Sequence, residues 1–300
     1  MDNRQLLKAH LSMLMAEVFW GLMAPVGKHA MTHGLDGVTL VSFRVAGAAA
    51  LFWITSLFVP TERVPMRHKL LLGVAALLAI VCNQCMYTIG LSLTSPINAS
   101  IVTTSMPIFA MVLSFFILRE PLSLRKVGGV MMGCAGAVIL ILTSAAASSD
   151  RVGDLRGDLL CMAAQLSFAL YLALFSPLIR RYSVFTVNKW MFLWATLIIH
   201  PMTTPHLCAL PWQAVGMQTW VEAGYVVFFG TFVSYLLTMV GQKVLRPTVV
   251  SVYNYVQPIV SVTVSVLTGL GIFTLSQGMA IILVFSGVWL VSRGGRHAEK

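Results

Sequence analysis

Hydrophobic residues occur along the chain in long runs that short polar stretches separate. Ten runs of about 20 apolar residues can be traced, and each is long enough, at about 1.5 Å rise per residue, to cross a hydrocarbon core of about 30 Å. They cover residues 9–31, 37–59, 70–91, 95–118, 124–144, 157–180, 184–204, 218–242, 248–268 and 272–292. The pattern predicts an all-α integral membrane protein with ten transmembrane helices.

The last third of the chain repeats its middle. Residues 95–116 align with residues 246–267 at a constant offset of 151 and without a gap, so that Pro107 falls on Pro258. Each copy contains five predicted spans, an odd number, and the second copy therefore starts on the opposite side of the membrane, which predicts an inverted repeat. The predicted domains are a first repeat over 1–147, a linker over 148–156 and a second repeat over 157–300.

Composition supports a membrane protein. The chain is 58% hydrophobic and only 10% charged, and its mean hydropathy is +0.85, all far outside the usage of soluble domains. The first run contains Glu17 and has no small-residue cleavage site after it, so we expect a retained helix and not a signal peptide. The five cysteines are scattered and indicate neither a disulfide framework nor a metal site, and no cofactor is implied.

The net charge of +10 is explained by membrane orientation. When the loops are assigned to alternating sides, 16 of the 20 Lys and Arg residues fall on the side of the N-terminus. By the positive-inside rule that side is cytoplasmic, and an even number of spans puts both termini there. The basic residues then contact anionic lipid headgroups of the bilayer, and a nucleic-acid partner is not indicated.

Five short segments carry a resemblance to a known family. They are EVFWGLMAPVGKHA from Glu17, FR at Phe43, YTIGLSLTSPINAS from Tyr87, PIFAMVLSFFILRE from Pro107 and YNYVQPIVSVTVS from Tyr253. On these segments the chain resembles a ten-helix, EamA-type member of the drug/metabolite transporter superfamily, with two EamA repeats over almost its whole length. The resemblance implies a carrier of the bacterial inner membrane, commonly an exporter of amino acids, their derivatives or other small metabolites. One departure is that Glu120 has Gly271 as its repeat mate, which argues against a symmetric role for that carboxylate.

Glu17 is the acidic residue that lies deepest in a predicted span. A charge at the bilayer centre costs about 2.5 to 3.5 kcal/mol on insertion scales, so its presence needs a reason. One interpretation makes it a proton-coupling site or the anchor for a substrate amine. The other makes it a structural ion pair with Arg44, which could instead bind a substrate carboxylate. The sequence leaves both interpretations open.

Uncharged polar residues indicate where a substrate would bind. Asn254 lies in the ninth span within a turn of Pro258, and its counterpart in the fourth span, Thr103, precedes Pro107. Prolines in membrane helices are expected to kink them where backbone lines a cavity, so Pro107 and Pro258 are predicted kinks. The predicted substrate-binding residues are Glu17, Trp20, Asn83, Tyr87, Thr103, Gln165, Phe168, Tyr171, Tyr235, Tyr253, Asn254 and Gln257.

Together these features favour a secondary active transporter over the alternatives. We expect the two five-helix halves to rock around one cavity, exporting amino acids or related small metabolites by alternating access, with proton coupling if Glu17 titrates. A facilitative, channel-like permease remains an alternative, although the spans carry no rings of like charge. A membrane-embedded enzyme is disfavoured because the sequence has no GxSxG, HExxH or P-loop motif. Substrate identity, direction, coupling ion and oligomeric state do not follow from the sequence.

Overall fold

Helices account for nearly all of the protein. The computed structural model describes residues 3–93, 99, 102–145, 155–267 and 275–294, and within these ranges there is no β-strand. The main helices are α1 (Asn3–Thr32), α2 (Gly37–Ser56), α3 (Met66–Leu93), α4 (Met106–Leu118), α5 (Leu124–Ala145), α6 (Leu155–Arg181), α7 (Val184–Ala209), α8 (Met217–Val244), α9 (247–267) and α10 (Leu275–Gly294). Helix α9 is interrupted: Pro247–Val252 is α-helical, Tyr253–Tyr255 is a 3₁₀ turn, and Val256–Leu267 is α-helical again.

Length and hydropathy identify a multi-pass membrane protein. Five helices, α1, α2, α3, α6 and α8, are long and apolar enough to cross a bilayer, and two shorter apolar helices cover Met106–Leu118 and Gly278–Arg293. The full count of ten spans, the inverted orientation of the repeats and the domain boundaries stay predictions. Most of the predicted linker, residues 148–154, lies outside the described residues, as does Gly271.

Two helices begin at equivalent caps. The Asp36 carboxylate accepts a hydrogen bond from the backbone N–H of Thr39 at the start of α2. The Ser183 hydroxyl accepts one from the backbone N–H of Thr186 at the start of α7. Asp and Ser suit this position because their side-chain oxygens satisfy N–H groups that the first helical turn leaves unpaired. The two caps are 147 residues apart, so the repeat extends to a pair of helices whose sequences match only weakly.

Helix packing is twofold related. Exchanging α1 with α6, α2 with α7, α3 with α8, α4 with α9 and α5 with α10 reproduces the main packing partners. Thus α1 packs on α8 as α6 packs on α3, and α1 packs on α9 as α6 packs on α4. Helices α5 and α10 pack on each other, as do α2 and α7, so each of these two pairs joins equivalent helices of the two halves.

Contacts at individual residues repeat in the same way. A Cβ on Gly90 would lie 2.8 Å from the carbonyl oxygen of Gly157, and a Cβ on Gly241 would meet Met13 and, at 3.6 Å, the carbonyl oxygen of Ala9. Gly241 is 151 residues after Gly90, and Gly157 is 148 residues after Ala9. Small residues let helix backbones approach closely in membranes, and here both halves use them at the same point.

Both halves also contain a π-helical segment at the same place. Leu77–Cys82 interrupts α3 and Phe228–Val233 interrupts α8, again at an offset of 151. A π-helical turn leaves backbone carbonyls without their usual partner, and such turns occur mostly at functional sites. Among the described residues, four of these carbonyls accept side-chain hydrogen bonds, and two of the donors line the central bundle: Gly230 accepts from Trp20 Nε1 at 3.0 Å and Ala79 from the hydroxyl of Tyr235 at 3.0 Å. The other two are Leu78, which accepts from Ser167, and Phe229, which accepts from Ser234.

Candidate functional site

A central cavity lies between the two halves. It is lined from both repeats, by residues of α1, α2, α3, α6, α8 and α9, and by the start of α4 and the segment that leads into it. Ten of the twelve predicted substrate-binding residues line it, and Arg44 lines it too. These ten are Glu17, Trp20, Asn83, Tyr87, Thr103, Gln165, Phe168, Tyr235, Asn254 and Gln257.

The two other predicted residues lie elsewhere. Tyr171 is 1% exposed, and its hydroxyl donates to the side-chain oxygen of Gln242 at 2.9 Å, so it joins α6 to α8. Tyr253 faces away from the cavity, and its hydroxyl is hydrogen-bonded to Nδ1 of His10 at 2.7 Å. Both were expected in the cavity because they lie near residues that do line it, but their rings point to other sides of their helices.

The two proline positions differ from simple kinks. Pro107 lies in the first turn of α4, directly after the turn at Thr104 and Ser105. Pro258 lies in the first turn of Val256–Leu267, after the 3₁₀ turn. In a first turn the missing N–H costs nothing, because no intrahelical acceptor is available there. Each proline therefore follows a break in its helix.

Glu17 belongs to a chain of hydrogen bonds that crosses the cavity wall. Its carboxylate is 3% exposed and accepts from Nε2 of Gln257 at 2.7 Å. The same nitrogen donates to the side-chain oxygen of Asn254, whose own nitrogen donates to the backbone carbonyl of Thr103 at 3.0 Å. Thr103 and Asn254 are repeat mates, since they are 151 residues apart, so this contact joins equivalent positions of the two halves.

Among the described residues Glu17 and Arg44 do not form the ion pair that was one of the two interpretations the sequence left open. In the part of the chain that the structure describes, the ion pairs join Lys126 to Glu120 and two histidines to carboxylates. Arg44, which is 6% exposed, donates from Nε to the hydroxyl of Thr231 at 3.1 Å. Arg44 is thus hydrogen-bonded to the π-helical segment of α8, and Glu17 is hydrogen-bonded to Gln257 on α9. The two side chains are therefore held at separate positions in one cavity.

Glu120, for which the sequence suggests only an interfacial loop charge, does lie in the loop between α4 and α5, but it is buried. Its carboxylate is 8% exposed, and it accepts from the ammonium of Lys126 at 3.0 Å and from the hydroxyl of Thr248 at 3.3 Å. Lys126 itself is 1% exposed. A buried pair of this kind connects the α4–α5 loop of the first half to the start of α9 in the second.

Aromatic rings form one wall of the cavity. The indole of Trp20 meets the ring of Phe168 edge-on at 6.4 Å between centroids and the ring of Tyr235 at 5.8 Å. Trp20 and Phe168 are repeat mates at an offset of 148, so this contact too joins equivalent positions of the two halves. Such a wall can pack against an apolar or aromatic group, and the face of an indole also attracts cations.

Six lining residues were not predicted from the sequence: Met13, Met23, Gln84, Met106, Thr238 and Val250. Three of them are repeat mates, at the offset of 151, of residues that were predicted: Gln84 of Tyr235, Thr238 of Tyr87 and Met106 of Gln257. Gln84 even donates from Nε2 to the hydroxyl of its mate at 3.0 Å. Applying the repeat offset to each candidate would have found these three.

Comparison with known proteins agrees with this architecture. The model of the EamA-like transporter family matches residues 7–142 and 155–293. The chain is 21% identical to the uncharacterized transporter YyaM of Bacillus subtilis, over 95% of this chain and 94% of that protein. It is 22% identical to an uncharacterized transporter of Archaeoglobus fulgidus, over 96% of this chain and 99% of that protein.

Similarity extends to a plant protein and to a solved structure. The chain is 24% identical to a WAT1-related protein of Arabidopsis thaliana, over 97% of this chain and 80% of that protein. A solved crystal structure superposes with a TM-score of 0.74 at 19% identity and covers 97% of this chain and 99% of its own, which shows a shared fold. The family model matches both halves in turn, and the chain therefore belongs to the EamA-like transporter family.

Proposed function

We propose that this transporter is a secondary active carrier that exports amino acids or closely related metabolites across the bacterial inner membrane. The observation that carries the proposal is the pair of ionisable side chains, the acid Glu17 and the base Arg44, held apart in one cavity by Gln257 and Thr231. A carboxylate is complementary to a substrate ammonium, and a guanidinium to a substrate carboxylate. A zwitterion would satisfy both.

The remaining lining supports a substrate with a side chain of its own. Trp20, Phe168 and Tyr235 offer a broad apolar surface. The cavity is also lined by polar groups: the side-chain oxygens of Gln84 and Thr238 are buried and have no hydrogen-bond partner among the described residues. Buried polar atoms without partners are costly, so a bound solute that supplied partners would be favoured.

The mechanism we propose is alternating access by the two halves. Repeat mates meet at the cavity, as Thr103 does with Asn254, so a rotation of one half against the other changes this site directly. The π-helical segments Leu77–Cys82 and Phe228–Val233 lie beside the cavity and are natural hinges, because their hydrogen bonding is already irregular. Glu17 would bind a proton in one state and release it in the other.

Transport in proteoliposomes tests the proposal. Purified protein should accumulate a labelled amino acid with saturable kinetics and show counterflow, whereas conductance without counterflow would indicate a channel and product formation an enzyme. Glu17→Gln should abolish the stimulation of flux by a pH gradient. The matched control is Glu62→Gln, which removes a carboxylate from the loop between α2 and α3 and should leave that stimulation unchanged.

The two charges can be tested separately. If Arg44 binds the substrate carboxylate, Arg44→Gln should lower flux of an amino acid while sparing its amine analogue, which lacks that carboxylate. Equal losses for both compounds would refute this assignment. Reporter fusions at the two ends should place both termini in the cytoplasm, and opposite locations would overturn the inverted-repeat topology.

A further inference from the structure

A second cavity opens on the lipid-facing side of the bundle. It lies between α1 and α10, with α9 as its floor. Most of its lining is apolar, and the residues at its rim are exposed: Leu11 is 52% exposed, Phe285 46% and Trp289 55%. In a bilayer such a surface is covered by acyl chains. A groove binds an acyl chain better than a convex surface does, because the walls of the groove contact the acyl chain on several sides.

The end of this groove is cationic. Arg293 lines it, with its guanidinium stacked on the ring of Trp289 at 4.3 Å. His10 lines the opposite wall and is hydrogen-bonded to the hydroxyl of Tyr253. Within the described residues Arg293 has no carboxylate partner. From Arg293 the groove continues along α10 to Phe285, eight residues or about 12 Å away, which matches the upper part of an acyl chain.

The repeat provides an internal comparison. The position equivalent to Arg293 at the offset of 151 is Leu142, and the position equivalent to His10 at the offset of 148 is Asp158. At these two positions the other half therefore has an apolar and an acidic side chain in place of arginine and histidine. Since the helices are related and these two side chains are not, the arginine and histidine of this groove are not required by the fold.

We propose that this groove binds one anionic phospholipid, with its phosphate at Arg293 and His10 and one acyl chain along Leu11, Phe285 and Trp289. A guanidinium forms paired hydrogen bonds with phosphate oxygens, and a cation close to an anionic headgroup attracts it strongly. The site is separate from the central cavity. The two are divided by α9, where Tyr253 faces the groove and Asn254 faces the cavity.

Tryptophan quenching in nanodiscs tests the site without requiring any transport. The protein is placed in equal mixtures of phosphatidylglycerol and phosphatidylcholine, with dibrominated acyl chains on one lipid or on the other. The signal of Trp289 is the difference between the unmodified protein and Trp289→Phe. We expect brominated phosphatidylglycerol to quench this signal more strongly than brominated phosphatidylcholine.

Charge variants then locate the headgroup. Arg293→Gln should lower the preference for phosphatidylglycerol by about fivefold, the effect of one cation near an anionic surface. Arg67→Gln removes an exposed positive charge at the start of α3, away from the groove, and should preserve the preference. Equal quenching by the two lipids, an unchanged preference in Arg293→Gln, or an equal loss in Arg67→Gln would each overturn the proposal. So would protection of Trp289 from both lipids by a second copy of the chain.

Discussion

The hydrogen bond between Gln257 and Glu17 offers the sharpest test of the cavity's geometry. The substitution Gln257→Met removes the only described donor to the Glu17 carboxylate. Methionine is a fair replacement because the repeat mate of Gln257 is Met106, which lines the same cavity. An apolar side chain of this size is thus already accommodated at the equivalent position of the other half.

The expected change in the free energy of unfolding follows from the hydrogen bond that Glu17 loses. A hydrogen bond to an ionised group contributes about 1.5 to 3 kcal/mol, and one between neutral groups about 0.5 to 1.5 kcal/mol. With Glu17 only 3% exposed, water replaces the lost donor poorly, so we expect Gln257→Met to lower the free energy of unfolding by about 1 to 3 kcal/mol. The double variant with Glu17→Met leaves no unpaired carboxylate, and its loss should be smaller than the sum of the two single losses.

A double-mutant cycle measures this coupling. Unfolding free energies in mixed detergent micelles should give an interaction of about 1 to 3 kcal/mol between positions 17 and 257. Gln165→Met is the matched control, since Gln165 lines the same cavity without a hydrogen bond to any other described residue, and it should change stability by less than about 1 kcal/mol. Losses at positions 17 and 257 that add within about 0.5 kcal/mol would refute the pairing.

Two further predictions concern packing and pH. Gly90→Ala should destabilise the protein by about 1 to 3 kcal/mol, because the added Cβ meets the backbone of Gly157. Gly241→Ala should destabilise it less, because there the added Cβ meets the flexible side chain of Met13. Thermal unfolding compares the two variants, and an equal or larger loss of stability in Gly241→Ala would contradict this expectation. Burial alone would raise the pKa of Glu62, but hydrogen bonds from the backbone N–H and hydroxyl of Ser183 and from a neighbouring threonine, together with a nearby lysine charge, hold that pKa below its usual value. A carboxylate whose pKa is lower in the folded state stabilises the fold above its unfolded-state pKa, and this stabilisation is lost as the pH falls through the folded-state pKa. The stability difference between the unmodified protein and Glu62→Gln should therefore shrink below about pH 4. A difference that stays constant from pH 7 to pH 3 would show that Glu62 is not linked to folding.

Much of the candidate site could be predicted because polar residues are rare in apolar spans. Glu17, Asn83, Gln165 and Gln257 each interrupt a hydrophobic run, and all four line the cavity. The rule fails for Tyr171, which does not line the cavity. Its hydroxyl points to Gln242 on another helix, and nothing in its own span indicates that direction.

The interpretation of Glu17 and Arg44 as an ion pair is wrong for a related reason. Glu17 and Arg44 lie at similar depths in adjacent spans, which made them plausible partners. Depth follows from sequence position at a fixed rise per residue, but the direction in which a side chain points depends on how its helix is rotated. Hydropathy does not report that rotation when a helix is apolar on every side.

The sequence by itself determined the membrane class, the duplication and the family, because these depend on composition and on the constant offset between the halves. Tertiary structure alone decided which polar groups face the cavity, that Glu17 pairs with Gln257 and Arg44 with Thr231, and that a cationic groove lies outside α9. These depend on contacts between residues as many as 240 positions apart. Such contacts form only when the helices have packed, since packing sets the rotation of each helix against its neighbours.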